Sequence, residues 1–176
     1  MRNLTLFLAI VTCQFILFSC SNEPKKETAV NTVQLQPNDS LFHISQGGYD
    51  FNIILPKDLM IENTPEITLN NSTGELNIHL GDQFWIVASL EKADIIRIKT
   101  ELNEDMLFTN RIVEESDKSV MYQRILPDGT EYDYSFKCSN EIGGKSYFFR
   151  TSEEGEFKMD HVTKMKQAIS SVHSAV

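Results

Sequence analysis

The sequence predicts an α+β fold, a single antiparallel sheet of about six to eight strands on which a mid-chain helix and a C-terminal amphipathic helix pack. Short apolar and β-branched runs, separated by turn residues, fill much of the chain after residue 40. Two segments have helical periodicity, Lys92 to Asn103 and Lys158 to about Val172. A lipocalin-like barrel is the main alternative, which the mid-chain helix disfavours.

The first predicted strands lie between residues 49 and 80. Tyr49 to Leu55 is an extended run that Pro56 ends, because proline lacks the N–H that a strand ladder needs. Glu66 to Leu69 and Glu75 to Leu80 follow, separated by a turn-prone Asn, Ser, Thr and Gly segment. The order of these runs indicates consecutive antiparallel strands.

The next strand is predicted to be central in the sheet. Gly81-Asp82 is interpreted as a two-residue hairpin linker, because glycine accepts the positive φ of a tight turn. In the run that follows, Gln83 to Leu90, the residues from Phe84 to Val87 are consecutively apolar. Such a run is typical of a strand covered on both faces.

The mid-chain segment from Lys92 to Asn103 is predicted to be a helix. Ile95, Ile98 and Leu102 fall on one helical face, and charged residues occupy the other. This helix is therefore expected to pack on the sheet through the three apolar side chains.

Three strands and a turn are predicted after this helix, over Phe108 to Glu115, Val120 to Leu126 and Thr130 to Cys138. Pro127-Asp128-Gly129 joins the last two, since proline and glycine suit successive turn positions. The last strand alternates regularly. Its apolar face carries Tyr132, Tyr134, Phe136 and Cys138, and its polar face carries Glu131, Asp133, Ser135 and Lys137.

The chain closes with one more strand and the second helix. Gly143-Gly144 turns the chain into a strand from Lys145 to Thr151. The helix follows, with an apolar stripe formed by Val162, Met165, Ile169 and Val172. From residue 41 to residue 176 the sequence is thus predicted to form one α+β domain.

Composition limits the partners of this domain. The chain has 16 basic and 25 acidic residues, and its formal net charge is −9. This balance argues against binding nucleic acid, which attracts basic patches. Of the three cysteines, Cys13 and Cys20 lie at the N-terminus, so Cys138 alone belongs to the predicted domain and no disulfide framework is expected.

The first twenty residues have the features of an export signal. Arg2 precedes an apolar run from Leu4 to Phe18, which is shorter than the ~20 residues that a spanning helix needs. The run ends in Leu17-Phe18-Ser19-Cys20, which resembles the lipobox of bacterial lipoproteins. The resemblance implies a signal peptide over 1–19, lipidation of Cys20, and attachment to a bacterial membrane of the cell envelope, either facing the periplasm or at the cell surface.

Residues 20–40 are predicted to be a lipidated, flexible tether. This segment contains two prolines, many polar residues and no aromatic residue, so it cannot bury enough apolar surface to offset the entropy of ordering. The acyl chains would hold the protein on the membrane, and the tether would hold the domain away from it.

The order of elements in the body resembles that of the PsbP-like superfamily. The resemblance rests on an opening strand that ends in proline, Tyr49 to Pro56, followed by a mid-chain helix, a late meander and a final amphipathic helix. Members of this superfamily include envelope lipoproteins and accessory proteins of larger assemblies. The resemblance therefore implies a non-catalytic role.

No catalytic, cofactor-binding or metal-binding motif is found. The four histidines, His43, His79, His161 and His173, have no zinc-ligand spacing and are interpreted as surface residues. Cys138 lies on the aromatic face of its strand, where a thiol is expected to behave as a small hydrophobe. The glycine pairs, Gly47-Gly48 and Gly143-Gly144, lack the strand-to-helix setting of a phosphate loop.

The sequence predicts an envelope lipoprotein that acts by binding, as an accessory module with a possible protein partner and without a cofactor. A flat exposed patch would favour this role. Two alternatives stay open. One is an envelope hydrolase whose residues converge only in the fold, which a deep cavity with two or more titratable groups would favour. The other is a carrier of a hydrophobic ligand, which a dry apolar cavity would favour.

Overall fold

The computed structural model describes residues 40–175. The predicted signal peptide over 1–19, the predicted lipidation site Cys20 and nearly all of the predicted tether over 20–40 lie outside the described residues. None of the helices among residues 40–175 is both long and apolar enough to cross a membrane.

The described residues form ten strands and three helices. In chain order they are β1 (Leu41–Gln46), β2 (Tyr49–Ile54), α1 (Lys57–Met60), β3 (Glu66–Leu69), β4 (Leu76–His79), β5 (Trp85–Ser89), α2 (Ile95–Asn103), β6 (Thr109–Glu115), β7 (Ser119–Ile125), β8 (Glu131–Ile142), β9 (Lys145–Thr151), α3 (Met159–Ser170) and β10 (His173–Ser174). Antiparallel sheets and helices thus give the α+β class.

The strands form two sheets, so the prediction of a single sheet is wrong. The large sheet has seven strands in the order β3-β4-β5-β9-β8-β7-β6, and the small sheet has three in the order β1-β2-β10. All pairings are antiparallel. Two strands of the small sheet, β1 and β10, are absent from the sequence-based prediction.

The small sheet is separate because its first two strands pair with each other through a tight turn. Gly47 and Gly48 both have positive φ, +59° and +90°, which a two-residue hairpin turn requires and which side chains disfavour. The buried side chains of this hairpin belong to the same hydrophobic core as the large sheet. The hairpin therefore packs on the large sheet through its apolar face instead of extending it.

One face of the large sheet forms the main core, and we call it the core face. It carries Ile78, Ile86, Met121, Phe136 and Phe149, which are all buried. Four buried side chains of α3 belong to the same core, namely Val162, Met165, Ala168 and Ile169. The small sheet and α3 thus share this core with the large sheet.

An aromatic cluster joins the small sheet to the large one. The Phe51 ring of β2 lies 5.4 Å from the Tyr147 ring and 5.8 Å from the Phe149 ring, both of β9, in edge-on arrangements. Tyr49 is buried beside them, and its hydroxyl donates a hydrogen bond to the Ala88 carbonyl oxygen over 2.8 Å. Aromatic pairs at such distances stabilise beyond the area they bury.

The β4–β5 connection differs from the predicted two-residue linker. The Leu80 N–H donates to the Phe84 carbonyl oxygen over 2.8 Å, so the loop consists of Gly81, Asp82 and Gln83. Leu80 and Phe84 are fully buried, and their burial extends the hairpin past the strand ends. β5 itself lies inside the sheet between β4 and β9 with Ile86, Val87 and Ala88 buried, as the apolar run predicts.

Helix α2 begins three residues later than predicted, because Asp94 caps it. The Asp94 carboxylate accepts hydrogen bonds from the N–H groups of Ile96 and Arg97 over 3.0 and 3.1 Å. Leu102 of α2 packs with Val120 and Tyr122 of β7 in a second, smaller hydrophobic cluster. This cluster lies on the face of the large sheet opposite the core face, which we call the outer face.

Candidate functional site

The outer face of the large sheet carries the candidate site. Residues paired across antiparallel strands share a face, so the register places Thr68, Asn77, Val87, Arg150 and Lys137 in one row across β3, β4, β5, β9 and β8. The next row contains Trp85 and His79 at one end and Ser135 and Tyr122 at the other. Helix α2 covers only the β7 side of this face.

Two cavities lie side by side on the outer face. The Trp85 cavity has a volume of about 550 Å³ and lies over β3, β4 and β5. The Lys137 cavity has a volume of about 360 Å³ and lies between strands β7 to β9 and the segment that follows α2. Arg150, Ser152 and Glu153 line both cavities, so these residues form the wall between them.

The Trp85 cavity is polar with one aromatic wall. The Trp85 indole N–H donates to the Asn77 side-chain oxygen over 3.0 Å, and the His79 ring lies 4.9 Å from the Trp85 ring. Arg150 closes one end through an ion pair with Glu75 in which the atoms are 2.8 Å apart. These contacts leave a fixed aromatic surface bordered by hydrogen-bonding groups.

A buried ion pair between Arg124 and Asp133 lies at one end of the Lys137 cavity. The Arg124 Nε donates to Asp133 Oδ1 over 2.6 Å, and a second guanidinium nitrogen bonds the other carboxylate oxygen. The Phe108 and Tyr132 rings lie 5.1 and 5.3 Å from the guanidinium carbon, within cation–π range. The carboxylate side chain is only 1% exposed.

Tyr122 and Lys137 line the interior of this cavity. Burial raises the pKa of Tyr122 to about 12, so its phenol stays protonated at neutral pH. Burial also lowers the pKa of Lys137, because desolvation disfavours the ammonium. The negative charges of Glu153 and Glu101 oppose this shift in the pKa, and the positive charges of Arg150 and Arg124 add to it. The charged form of Lys137 is thus less stable in this cavity than it would be in water.

Asp105 and Asn110 form the cavity wall next to α2. Asp105 accepts hydrogen bonds from the N–H groups of Leu107 and Phe108 over 2.8 and 3.2 Å. Burial alone would raise the pKa of Asp105, but these bonds and one from Asn110 outweigh it and lower the pKa. The Asn110 Oδ1 is buried and accepts no hydrogen bond from the described residues.

Several charged side chains of this region are paired with one another. Within residues 40–175 no group of three or more His, Cys, Asp or Glu residues is arranged to hold a metal ion. The arginines of the Lys137 cavity are engaged by carboxylates, Arg124 by Asp133 and Arg150 by Glu75. The cavity therefore offers hydrogen-bonding groups and one lysine ammonium to a ligand.

Most residues that the sequence singles out lie apart from these cavities. His43 contacts Asn52, and His161 and His173 lie on or after α3. His79 is the exception, since it lines the Trp85 cavity. Cys138 is half-buried, and burial raises the pKa of its thiol, in keeping with its expected hydrophobic character.

The prediction for the two faces of β8 is wrong in part. Asp133 and Ser135, assigned to a polar face, are buried, whereas Tyr132 is 39% exposed. Asp133 and Ser135 are buried because α2 and the segment after it cover the outer face near β7 and β8. Sequence reasoning missed Arg124, Lys137 and Arg150 as site residues, and the only available signal was their occurrence on adjacent alternating strands.

The fold and the cavities define the class as an α+β domain with two polar cavities on the outer face of its large sheet. Comparison of the chain with known protein families, with curated proteins and with solved structures gave no match. The function is therefore argued from the site alone.

Proposed function

We propose that the protein is an envelope lipoprotein, held on a bacterial membrane by lipid on Cys20, whose domain acts as a non-catalytic binding or accessory module. The observation that carries the binding role is the pair of adjacent cavities on the outer face. Leu17-Phe18-Ser19-Cys20 supports the anchor. The resemblance to the PsbP-like superfamily stays a prediction and agrees with a non-catalytic role.

The linings of the cavities disfavour a carrier of hydrophobic ligands. In the Trp85 cavity, Trp85 and Val87 are the apolar residues among a majority of Asn, Thr, Ser, Glu, His and Arg side chains. A site for an apolar ligand is lined mainly by apolar groups, with few polar ones. A ligand with many hydrogen-bonding groups, such as a protein segment, fits this lining better.

An envelope hydrolase is the second candidate, and one observation favours it. Lys137, whose pKa is lowered by burial, shares a cavity with Tyr122, and such a lysine can serve as a general base. A hydrolase also needs a nucleophile or an activated water within reach of that base. Among residues 40–175 no serine, threonine or cysteine side chain is hydrogen-bonded to Lys137, which favours binding.

The anchor is tested by labelling cells that produce the full-length protein with labelled palmitate. The wild-type protein is expected to incorporate the label and to fractionate with membranes, because the Cys20 thiolate takes the lipid. Cys20→Ser is expected to abolish labelling. Cys13→Ser is the matched control and should keep it. If Cys20→Ser still takes label and still fractionates with membranes, the lipoprotein proposal is wrong.

The binding role is tested by cross-linking in membranes and purification in mild detergent. A stoichiometric envelope protein is expected to copurify with the wild type. Thr68→Arg, which places a large cation in the Trp85 cavity, is expected to remove this partner. Thr109→Arg is the control, because Thr109 is also exposed but lies on β6 at the opposite edge of the sheet. Recovery of the wild-type protein alone would contradict the accessory role.

A further inference from the structure

We propose that the Lys137 cavity binds a small carboxylate, with the Lys137 ammonium against the carboxylate group of the ligand. This inference rests on the proposed binding role and assigns a ligand class to one of the two cavities. Three features of the cavity lead to it: an unpaired cation, arginines that are already paired, and a volume suited to a small molecule.

The unpaired cation is Lys137. Its side chain extends from β8 between Val120 of β7 and Arg150 of β9 on the outer face. Among residues 40–175 no carboxylate lies within 4.0 Å of its Nζ, whereas the other cations of this cavity form ion pairs. Lys137 is half-buried, and the partial withdrawal of an unpaired charge from water is costly. An anionic ligand would remove this cost.

The arrangement of neighbouring charges favours one negative charge on the ligand. Arg124 is held by Asp133, and Arg150 is held by Glu75. Glu153 lies at the cavity wall, but its side chain is 80% exposed and it is paired with Arg150 at 3.6 Å. One ammonium thus remains for a ligand. A carboxylate matches this charge better than a phosphate dianion, which usually needs several donors.

Asn110 is fixed at the cavity wall by its own hydrogen bonds. The Asn110 Nδ2 donates to the Leu102 carbonyl oxygen over 2.9 Å and to Asp105 Oδ2 over 3.1 Å. Both partners are acceptors, so they fix which way the amide points. The Oδ1 that faces the other way is buried and out of reach of a ligand. Asn110 therefore shapes the wall next to α2, and Lys137 is the group that recognises the ligand.

The remaining walls and the volume suit a compact organic molecule. Leu102, Leu107 and Phe108 form an apolar wall for a carbon skeleton. The protonated Tyr122 hydroxyl can donate a second hydrogen bond to the carboxylate. A volume of about 360 Å³ lies at the lower end of the range for ligand pockets. Hydroxy acids and sugar acids share this chemistry.

The proposal is tested by titrating the full-length protein in detergent with glucuronate, gluconate and lactate, with glucose and inorganic phosphate as comparison ligands. Saturable binding of at least one carboxylate is expected by calorimetry, with glucose and phosphate binding more weakly. Lys137→Met is expected to weaken that binding about tenfold or more, since a hydrogen bond to a charged group is lost. Lys118→Met is the control, because it removes an equal charge from an exposed position.

A second measurement uses the wild-type protein and does not depend on the stability of the variant. Acetylation of Lys137, followed by mass spectrometry, is expected to slow when the bound carboxylate is present and not when glucose is present. Equal binding of phosphate, an unchanged affinity in Lys137→Met, or no binding of any carboxylate up to about 10 mM would overturn the ligand assignment. None of these results alters the palmitate or cross-linking outcomes, which test the proposed function separately.

Discussion

Phe51→Ala is expected to lower the free energy of unfolding by about 4 kcal/mol. The Phe51 ring is fully buried and contacts the rings of Tyr147 and Phe149. Its removal leaves a cavity where β2 of the small sheet meets β9 of the large sheet, and the surrounding aromatic rings cannot collapse into it without shifting both sheets. A domain of this size is stable by roughly 5–15 kcal/mol, so the loss is a large fraction of the total.

Urea unfolding, followed by tryptophan fluorescence, measures this loss, because Trp85 is the single tryptophan of the chain. Phe108→Ala is the control, since Phe108 is only half-buried and lies over the Arg124 guanidinium on the outer face. Its expected cost is about 1 kcal/mol. A loss below about 1 kcal/mol for Phe51→Ala would contradict the packing of the small sheet on the large one.

Asp133→Ala is expected to lower the free energy of unfolding by about 3 kcal/mol. Asp133 is nearly inaccessible, and it is the carboxylate that engages Arg124. Without it, the guanidinium stays in a largely buried position against the faces of Phe108 and Tyr132. Leaving the buried cation without a carboxylate lowers the free energy of unfolding by more than the intact ion pair contributes to it.

Replacing both partners separates the loss of the ion pair from the cost of leaving Arg124 without a carboxylate. Arg124→Met combined with Asp133→Leu is expected to recover much of the lost stability, because apolar side chains of similar size often replace a buried ion pair at small cost. Glu131→Ala is the control, since its ion pair with Arg111 is exposed and should contribute well under 1 kcal/mol. If Asp133→Ala costs no more than Glu131→Ala, the Arg124–Asp133 pair is not buried in solution.

Local features of the fold could be predicted because they depend on neighbouring residues. The strands β3 and β9 have the predicted bounds, Glu66–Leu69 and Lys145–Thr151. Turn residues and alternation set these bounds within a few positions of the chain. The start of α2 was missed by three residues, although Asp94 is a typical N-cap.

Features that depend on distant residues could not be predicted. β10 has two residues and exists because it pairs with Asn52 and Phe51 of β2. The burial of Asp133 and Ser135 depends on the segment after α2, which alternation within β8 does not reveal. The Lys137 cavity arises where β7, β8 and β9 place Arg124, Lys137 and Arg150 on one face, so it requires the strand order.

The sequence by itself determined the α+β class, the acidic charge and most strand positions, because hydrophobic period and turn chemistry are encoded locally. It also carries the N-terminal pattern ending at Cys20, which supports the proposed anchor. The tertiary structure alone decided that the strands divide into two sheets and that Lys137 is left without a carboxylate. Both depend on which strands become neighbours. The strand order in turn depends on the burial of side chains that are far apart in the chain.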